Sequence, residues 1–235
     1  MTFVLVHGGG HTARCWEPTM SRLDYPAMAI DLPGRGRHPA PLDEVHIRDF
    51  VDSAVHDIRR AGVSDIVLVG HSMAGLSLPG IVAELPGLVR HVVLVSAVIL
   101  APGSTLIDLV AEEQRDEVRL LQPSREGVLL PDEVTIAMQC YDMDESQTRF
   151  TLDVVVPEAY WPTREAPDVC EFDTSVGRTW IRLTSDQTFT PDVQDVMSAR
   201  AKCERAVDID SGHMAMISRP AELARVLNAL HHDHV

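Results

Sequence analysis

One stretch constrains the chain more than any other: Gly70-His71-Ser72-Met73-Ala74-Gly75, between the apolar run Asp65 to Val69 and the helical pattern Leu76 to Leu85. The run predicts a buried strand and the pattern the first turns of a helix. A serine between small residues at so sharp a strand-to-helix turn stands with its hydroxyl exposed at the top of a parallel sheet. The turn is strained and brings backbone close, so a large side chain at the small positions on either side would clash. The usual pattern is Gly-x-Ser-x-Gly, with glycine two places after the serine. Here that place holds Ala74, and the glycine falls at Gly75. Alanine is small enough to keep the turn.

Further apolar runs recur along the chain: Thr2 to Val6, Tyr25 to Ile30, His91 to Val95, Trp180 to Thr184 and Glu204 to Ile209. Between them Trp16–Leu23, Ile47–Ala61, Leu76–Leu85, Pro191–Lys202 and Pro220–His231 suit helices; Ile47, Phe50, Val51, Ala54, Val55 and Ile58 repeat at helical spacing. Strands alternating with helices imply an α/β fold, a mostly parallel six-stranded sheet covered on both faces. The alternation stops between about Val98 and Val176. Leu106–Leu121 and Val134–Val155 read as helical there, and Pro157, Pro162 and Pro167 break the chain before the fifth strand. The expectation is a core of residues 1–98 and 177–235 with a mainly helical cap, 99–176, over the sheet edge where α/β ligands bind.

The 235 residues carry 35 acidic and 20 basic side chains, a formal net charge of −15. That balance argues against nucleic acid and anionic membrane as partners, since phosphate binding draws on basic patches. No run approaches the ~18 apolar residues of a membrane span, and Met1 to Val6 is too short for a secretory segment, so a cytoplasmic protein is expected. Cys15, Cys140, Cys170 and Cys203 are widely spaced and read as reduced thiols, with neither a zinc site nor a disulfide framework. The tail His231-His232-Asp233-His234 reads as solvated rather than metal-binding, and Asp142-Met143-Asp144-Glu145 as charge at a helix start. No metal is called for, and the oligomeric state, a homodimer included, is left open.

A serine hydroxyl is a weak nucleophile until an imidazole takes its proton, and that imidazole needs an acid to fix its tautomer. Asp186 follows the fifth strand and His213 the sixth, so both belong to loops on the same sheet edge as Ser72. Taken singly, each has a blander reading: a surface histidine, and an aspartate that forms a turn. Asp208 and Asp210 are rival acids, but Asp208 falls inside the sixth strand and Asp210 lies too few residues before the ring. After the first strand comes His7-Gly8-Gly9-Gly10-His11. Consecutive glycines let backbone N–H groups approach a developing oxyanion, and the N–H groups of Gly9 and Met73 are assigned to that role. A rival fits the same residues. Gly8-Gly9-Gly10-His11-Thr12-Ala13 satisfies a dinucleotide fingerprint, with Asp31 ending the next strand. Against it, Asp31-Leu32-Pro33-Gly34-Arg35-Gly36 reads as a loop, and Lys202, the only lysine, has no tyrosine four places before it.

Together these motifs resemble the α/β-hydrolase superfamily, and within it the branch of plant methylesterases, hydroxynitrile lyases and small bacterial carboxylesterases. The likeness runs through Phe3 to His11 with Trp16, Asp31 to Gly36, Gly70 to Gly75, and Gly212-His213-Met214-Ala215-Met216. It covers the core and leaves the cap without a match. It implies a Ser72–His213–Asp186 triad, no cofactor, and a small ester substrate enclosed by the cap. Lyase members carry threonine and lysine where this chain has Gly8 and Met214, which favours ester hydrolysis. Gly8, Gly10, His11 and Met214 are expected to contact substrate, with Tyr141 and Trp161 from the cap; Phe150 and Tyr160 are further candidates, packing being the alternative for all four aromatics. A lyase, lactonase or cyclase on the same triad, and a ligand receptor on the same scaffold, stay open as alternatives.

Overall fold

In the computed structural model, residues 1–233 are described except 111, 113, 114 and 117–119, and at 231–233 the backbone alone. Six strands form one parallel sheet: β1 (Thr2–Val6), β2 (Ala27–Ile30), β3 (Ile66–His71), β4 (Val89–Val95), β5 (Gly177–Leu183) and β6 (Arg205–Ile209), in the order β2-β1-β3-β4-β5-β6. Side chains alternate between faces along each strand. Phe3, Leu5, Val67, Val69, Val93, Val95, Ile181 and Leu183 pack into one core layer. Val4, Val6, Ile66, Leu68, Val92, Leu94 and Trp180 pack into the other. Burial on both faces is why the central strands β1 and β3 read as unbroken apolar runs, and each fully buried phenylalanine contributes about 1.5–3 kcal/mol.

Helices cover both layers. On one side lie α2 (Ile47–Ala61), α3 (Leu78–Glu84) and α6 (Pro191–Arg200). The apolar stripe of α2, from Ile47 to Ile58, is the buried one, and the helix ends at Gly62 with φ +64°. On the other side α8 (Pro220–Asp233) supplies Leu223, Val226, Leu227 and Leu230, beside α1 (Glu17–Met20) and α7 (Ala215–Ser218). Several boundaries differ from the sequence reading. β2 begins after Pro26, which has no N–H to donate. β4 and β5 start earlier than expected, at Val89 and Gly177, and β3 runs on to His71. Trp16–Leu23 and Leu76–Leu85 are each a 3-10 turn leading into a short helix.

Residues 99–176 run between β4 and β5. They hold a 3-10 turn at Leu106–Leu109, α4 (Asp132–Gln139), α5 (Glu145–Val154) and a second turn at Trp161–Thr163. Part of the helix expected over Leu106–Leu121 lies outside the described residues, as do the side chains of the His231–His234 tail. The single helical pattern Val134–Val155 is broken in two. Asp144 accepts the Gln147 N–H at 2.9 Å while Gln147 accepts the Asp144 N–H at 3.0 Å, a capping box that starts α5 afresh. The break frees Tyr141 and Asp142 to turn toward the core.

Candidate active site

The order β2-β1-β3 reverses direction between β1 and β3, and α/β sheets bind ligands at that switch point, beyond the strands' carboxyl ends. Two loops meet there, the glycine run after β1 and the serine turn after β3. Ser72 has φ +52°, a conformation non-glycine residues rarely adopt. Gly8 permits the approach: a β-carbon there would stand 2.9 Å from the Ser72 β-carbon and 2.9 Å from His71 Nδ1. The displaced glycine of the motif has its own explanation. A β-carbon on Gly75 would sit 2.3 Å from the Val98 carbonyl oxygen, so glycine is required there, whereas the Ala74 methyl is simply buried in the core.

Ser72 Oγ lies 3.0 Å from His213 Nε2, and His213 Nδ1 lies 2.8 Å from Asp186 Oδ2. The carboxylate can only accept, so Nδ1 carries the proton and Nε2 is free to accept the serine O–H. Asp186 also accepts the Ser96 hydroxyl at 2.7 Å and the N–H groups of Thr188 and Phe189 at 2.8 and 3.1 Å. Burial alone would raise its pKa; the His213 charge and these hydrogen bonds outweigh it and hold the carboxyl below its ordinary value. The rival acids are engaged elsewhere. Asp208 pairs with Arg182 at 2.8 Å, and Asp210 accepts the Ser185 hydroxyl at 2.6 Å.

The insertion braces both loops that carry these groups. Tyr141 Oη accepts the Gln187 N–H at 2.8 Å and the His213 N–H at 3.1 Å, while Asp142 accepts the Gly212 N–H at 2.8 Å. A β-carbon on Gly212 would meet Asp142 Oδ1 at 2.5 Å and Tyr141 at 2.8 Å, so any larger residue would displace these two braces. Sequence reasoning missed Ser96 and Glu158 and read Asp142 as helix-start charge; Asp144 caps that helix, and Asp142 turns to Gly212 instead. Ser96, at φ +40° just after β4, carried one faint signal, a polar residue closing an apolar strand.

A cavity of about 280 Å³ opens above Ser72, lined by Met73, Leu106, Val128, Leu129, Leu130, Met138, Val155, Val156 and Phe189, among others. Gly9, Gly10, His11 and Met214 line it too, where substrate contacts are expected. Gly8, Tyr141 and Trp161 do not line it, which corrects the sequence expectation for those residues. Gly8 is packed under the serine. Tyr141 is spent on the two loops. Trp161 donates its indole N–H to the Asp43 carbonyl at 2.8 Å and stacks on His46. Phe150 packs into the core and Tyr160 lies under the Arg164 guanidinium. A separate surface groove beside Asp31 and Arg37 shares no lining residue with this cavity.

The Gly9 N–H points to no partner among the described residues, whereas the Gly10 N–H donates to Glu158 Oε2 at 2.7 Å. Met73 sits in the first turn of its helical segment, where N–H groups have no partner within the helix. The dinucleotide alternative does not fit. Asp31, which would take a ribose, accepts the Ala13 N–H at 2.8 Å and pairs with Arg37 at 3.0 Å, and the strand order is not the 3-2-1-4-5-6 of that fold.

A sequence profile described as the alpha/beta hydrolase family matches residues 3–226. The chain belongs to this family. Among curated relatives, this alpha/beta hydrolase is 27% identical to norfluorocurarine synthase 1 of Strychnos nux-vomica, over 97% of this chain and 94% of that protein. It is 25% identical to methylesterase 18 of Arabidopsis thaliana, over 96% and 95%. Among solved structures it resembles an extracellular alpha/beta-hydrolase from a Paenibacillus species, described as sharing structural and functional homology with tobacco salicylic acid binding protein 2. The TM-score is 0.82 at 19% identity, over 97% of each chain.

Proposed function

We propose that the protein is a serine-dependent hydrolase of small, uncharged carboxylic esters. The observation that carries this reading is the hydrogen-bonded series Ser72–His213–Asp186 at the floor of an apolar cavity. In the proposed reaction His213 Nε2 takes the Ser72 proton as Oγ attacks the ester carbonyl. The N–H groups of Gly9 and Met73 receive the oxyanion, and Asp186 holds the imidazole in its tautomer. Protonated His213 then gives its proton to the leaving alkoxide, leaving an acyl group on Ser72. Water, deprotonated by the same imidazole, attacks the acyl-enzyme; the carboxylic acid departs and Ser72 regains its proton.

The cavity supports an apolar acyl or alcohol group of modest size, since nine aliphatic and methionine side chains and Phe189 line it beside its polar groups. Methylesterase and esterase names among the relatives agree with ester hydrolysis. Met214, beside His213 and buried, offers no cation to a departing cyanide, which favours ester hydrolysis over a lyase reaction. The test is a panel of p-nitrophenyl and methyl esters of graded length, with cyanohydrins beside them. Turnover of short esters, abolished by Ser72→Ala in a folded protein, is expected. Cyanohydrin cleavage without esterase activity would overturn the reading.

A further inference from the structure

Gly10 N–H is already taken, and the group that takes it is an anion. Glu158 Oε2 accepts that N–H at 2.7 Å and stands 3.0 Å from where a β-carbon on Gly9 would lie. Backbone contacts support the same approach: the Val156 N–H donates to the Gly10 carbonyl at 2.8 Å, and His11 bridges Val155 in antiparallel fashion. A run of three glycines has wide conformational freedom, and Gly10 sits at φ +67°. An oxyanion hole gains its effect only from donors fixed beforehand. Something must hold this loop still.

A carboxylate is a poor choice for the task if it stands alone, because it repels the oxyanion that the loop has to stabilise. It does not stand alone. Arg35 Nη2 pairs with Glu158 Oε1, which also accepts the Ala159 N–H at 2.7 Å. The Arg35 side chain is 0% exposed, lies over the Phe50 ring at 5.3 Å, and leaves Nε and Nη1 without partners among the described residues. Burying a guanidinium with unmet donors is costly. Its counter-charge to Glu158 is what it brings to this place.

We propose that Glu158 is a positioning residue for the oxyanion loop, fixing Gly10 so that the Gly9 N–H faces Ser72, and that Arg35 cancels the field Glu158 would otherwise impose on the oxyanion. The proposal rests on the ester-hydrolase reading above. It gives the buried pair a task beyond pinning the insertion to the core.

The test compares wild type with Arg35→Met, Arg35→Met/Glu158→Gln and Arg35→Met/Glu158→Ala. In the two double variants removing both charges together avoids leaving one buried and unpaired, the change most apt to unfold the protein, and Arg35→Met is compared per active site titrated with a fluorophosphonate. Each variant is assayed on a p-nitrophenyl ester and on its thionoester, in which sulfur replaces the carbonyl oxygen. The preference for oxygen over sulfur reads the geometry of the oxyanion hole and is insensitive to general stability. Glutamine keeps an acceptor for Gly10, so the Met/Gln pair is expected to retain kcat within about threefold. Alanine removes it, and the Met/Ala pair is expected to lose about 100-fold in kcat, the scale of one lost oxyanion donor. The oxygen-over-sulfur preference should collapse, and KM should change far less than kcat, although Glu158 also lines the cavity. Arg35→Met alone, keeping the bare carboxylate, should fall below the Met/Gln pair. Equal kcat and equal oxygen preference in the two double variants would overturn the positioning role. Arg35→Met as fast as the Met/Gln pair would overturn the charge role. A wild type that neither turns over esters nor reacts with a fluorophosphonate would remove the underlying reading, and the inference with it.

Discussion

His7 and His11, on either side of the three glycines, make the stability of this fold depend on pH in a direction and by an amount that follow from their surroundings. Both are fully buried, and both spend Nδ1–H on a carbonyl, His7 on Gly8 at 2.8 Å and His11 on Gly9 at 2.7 Å. His7 Nε2 accepts the Leu32 N–H at 3.2 Å, so protonation there would destroy an acceptor as well as bury a charge. Burial, with the Arg35 charge adding to it, lowers His7 to about 3. Burial also lowers His11, to about 4, against the opposing pull of its bond to Gly9. In the unfolded chain both titrate near ~6.5. The folded values lie below the unfolded one, so between those limits the unfolded state binds more protons. Stability is therefore full above about pH 6.5 and falls as the pH drops toward the folded values. At roughly 1.4 kcal/mol per pH unit, each imidazole costs about 2 kcal/mol on going from pH 7 to 5, or about 4 kcal/mol together. That is a large share of the ~5–15 kcal/mol typical of a domain. His71, lowered by burial in the same sense, adds to the loss. Asp31 and Asp186 are held below the usual carboxylate range and titrate beneath this window. Urea unfolding at pH 7 and pH 5 measures the effect, with His11→Asn as the comparison, since asparagine can still donate to Gly9 but cannot take a proton. The variant should show about 2 kcal/mol less acid loss than wild type. A wild-type stability that is flat across the window, or an identical loss in the variant, would refute the reasoning.

Other consequences are sharper locally. Gly75→Ala forces a methyl into the Val98 carbonyl and should cost about 1–3 kcal/mol by thermal or urea unfolding; Ala74→Gly, which restores the usual motif, should leave ester kcat within about twofold. Ser96→Ala removes the 2.7 Å hydrogen bond to Asp186 and should lower kcat about 10-fold with KM unchanged, since the hydroxyl touches the acid and not the cavity. Tyr141→Phe leaves the Gln187 and His213 N–H groups without their acceptor. It should likewise act on kcat, by about 10-fold, with little change in KM. A large KM effect from either change would place that residue against the substrate instead.

The core was legible because its signals are local. A strand buried on both faces is an unbroken apolar run, and a helix on one face repeats its stripe, so β1, β3 and α2 can be located from residues alone. The elbow serine, post-strand aspartate and post-strand histidine occupy loop positions that the alternation itself defines. What stayed hidden depends on contacts between distant segments. Tyr141 has the composition of a pocket residue, and only the break at Asp144 shows that its hydroxyl oxygen is turned onto the Gln187 and His213 backbone. Glu158 follows a proline in a stretch without periodicity, and nothing local ties it to Gly10, 148 residues away. The puzzle of Ala74 likewise dissolves only when Val98 is seen beside Gly75.

The central claim is that Ser72 is the nucleophile, activated by His213. Reaction of the wild-type protein with a fluorophosphonate, followed by peptide mass spectrometry, tests it most directly. The account predicts a single phosphonyl adduct on Ser72, its formation suppressed by His213→Ala in a protein that still unfolds cooperatively. An adduct on another residue, or undiminished ester turnover by Ser72→Ala, would contradict it.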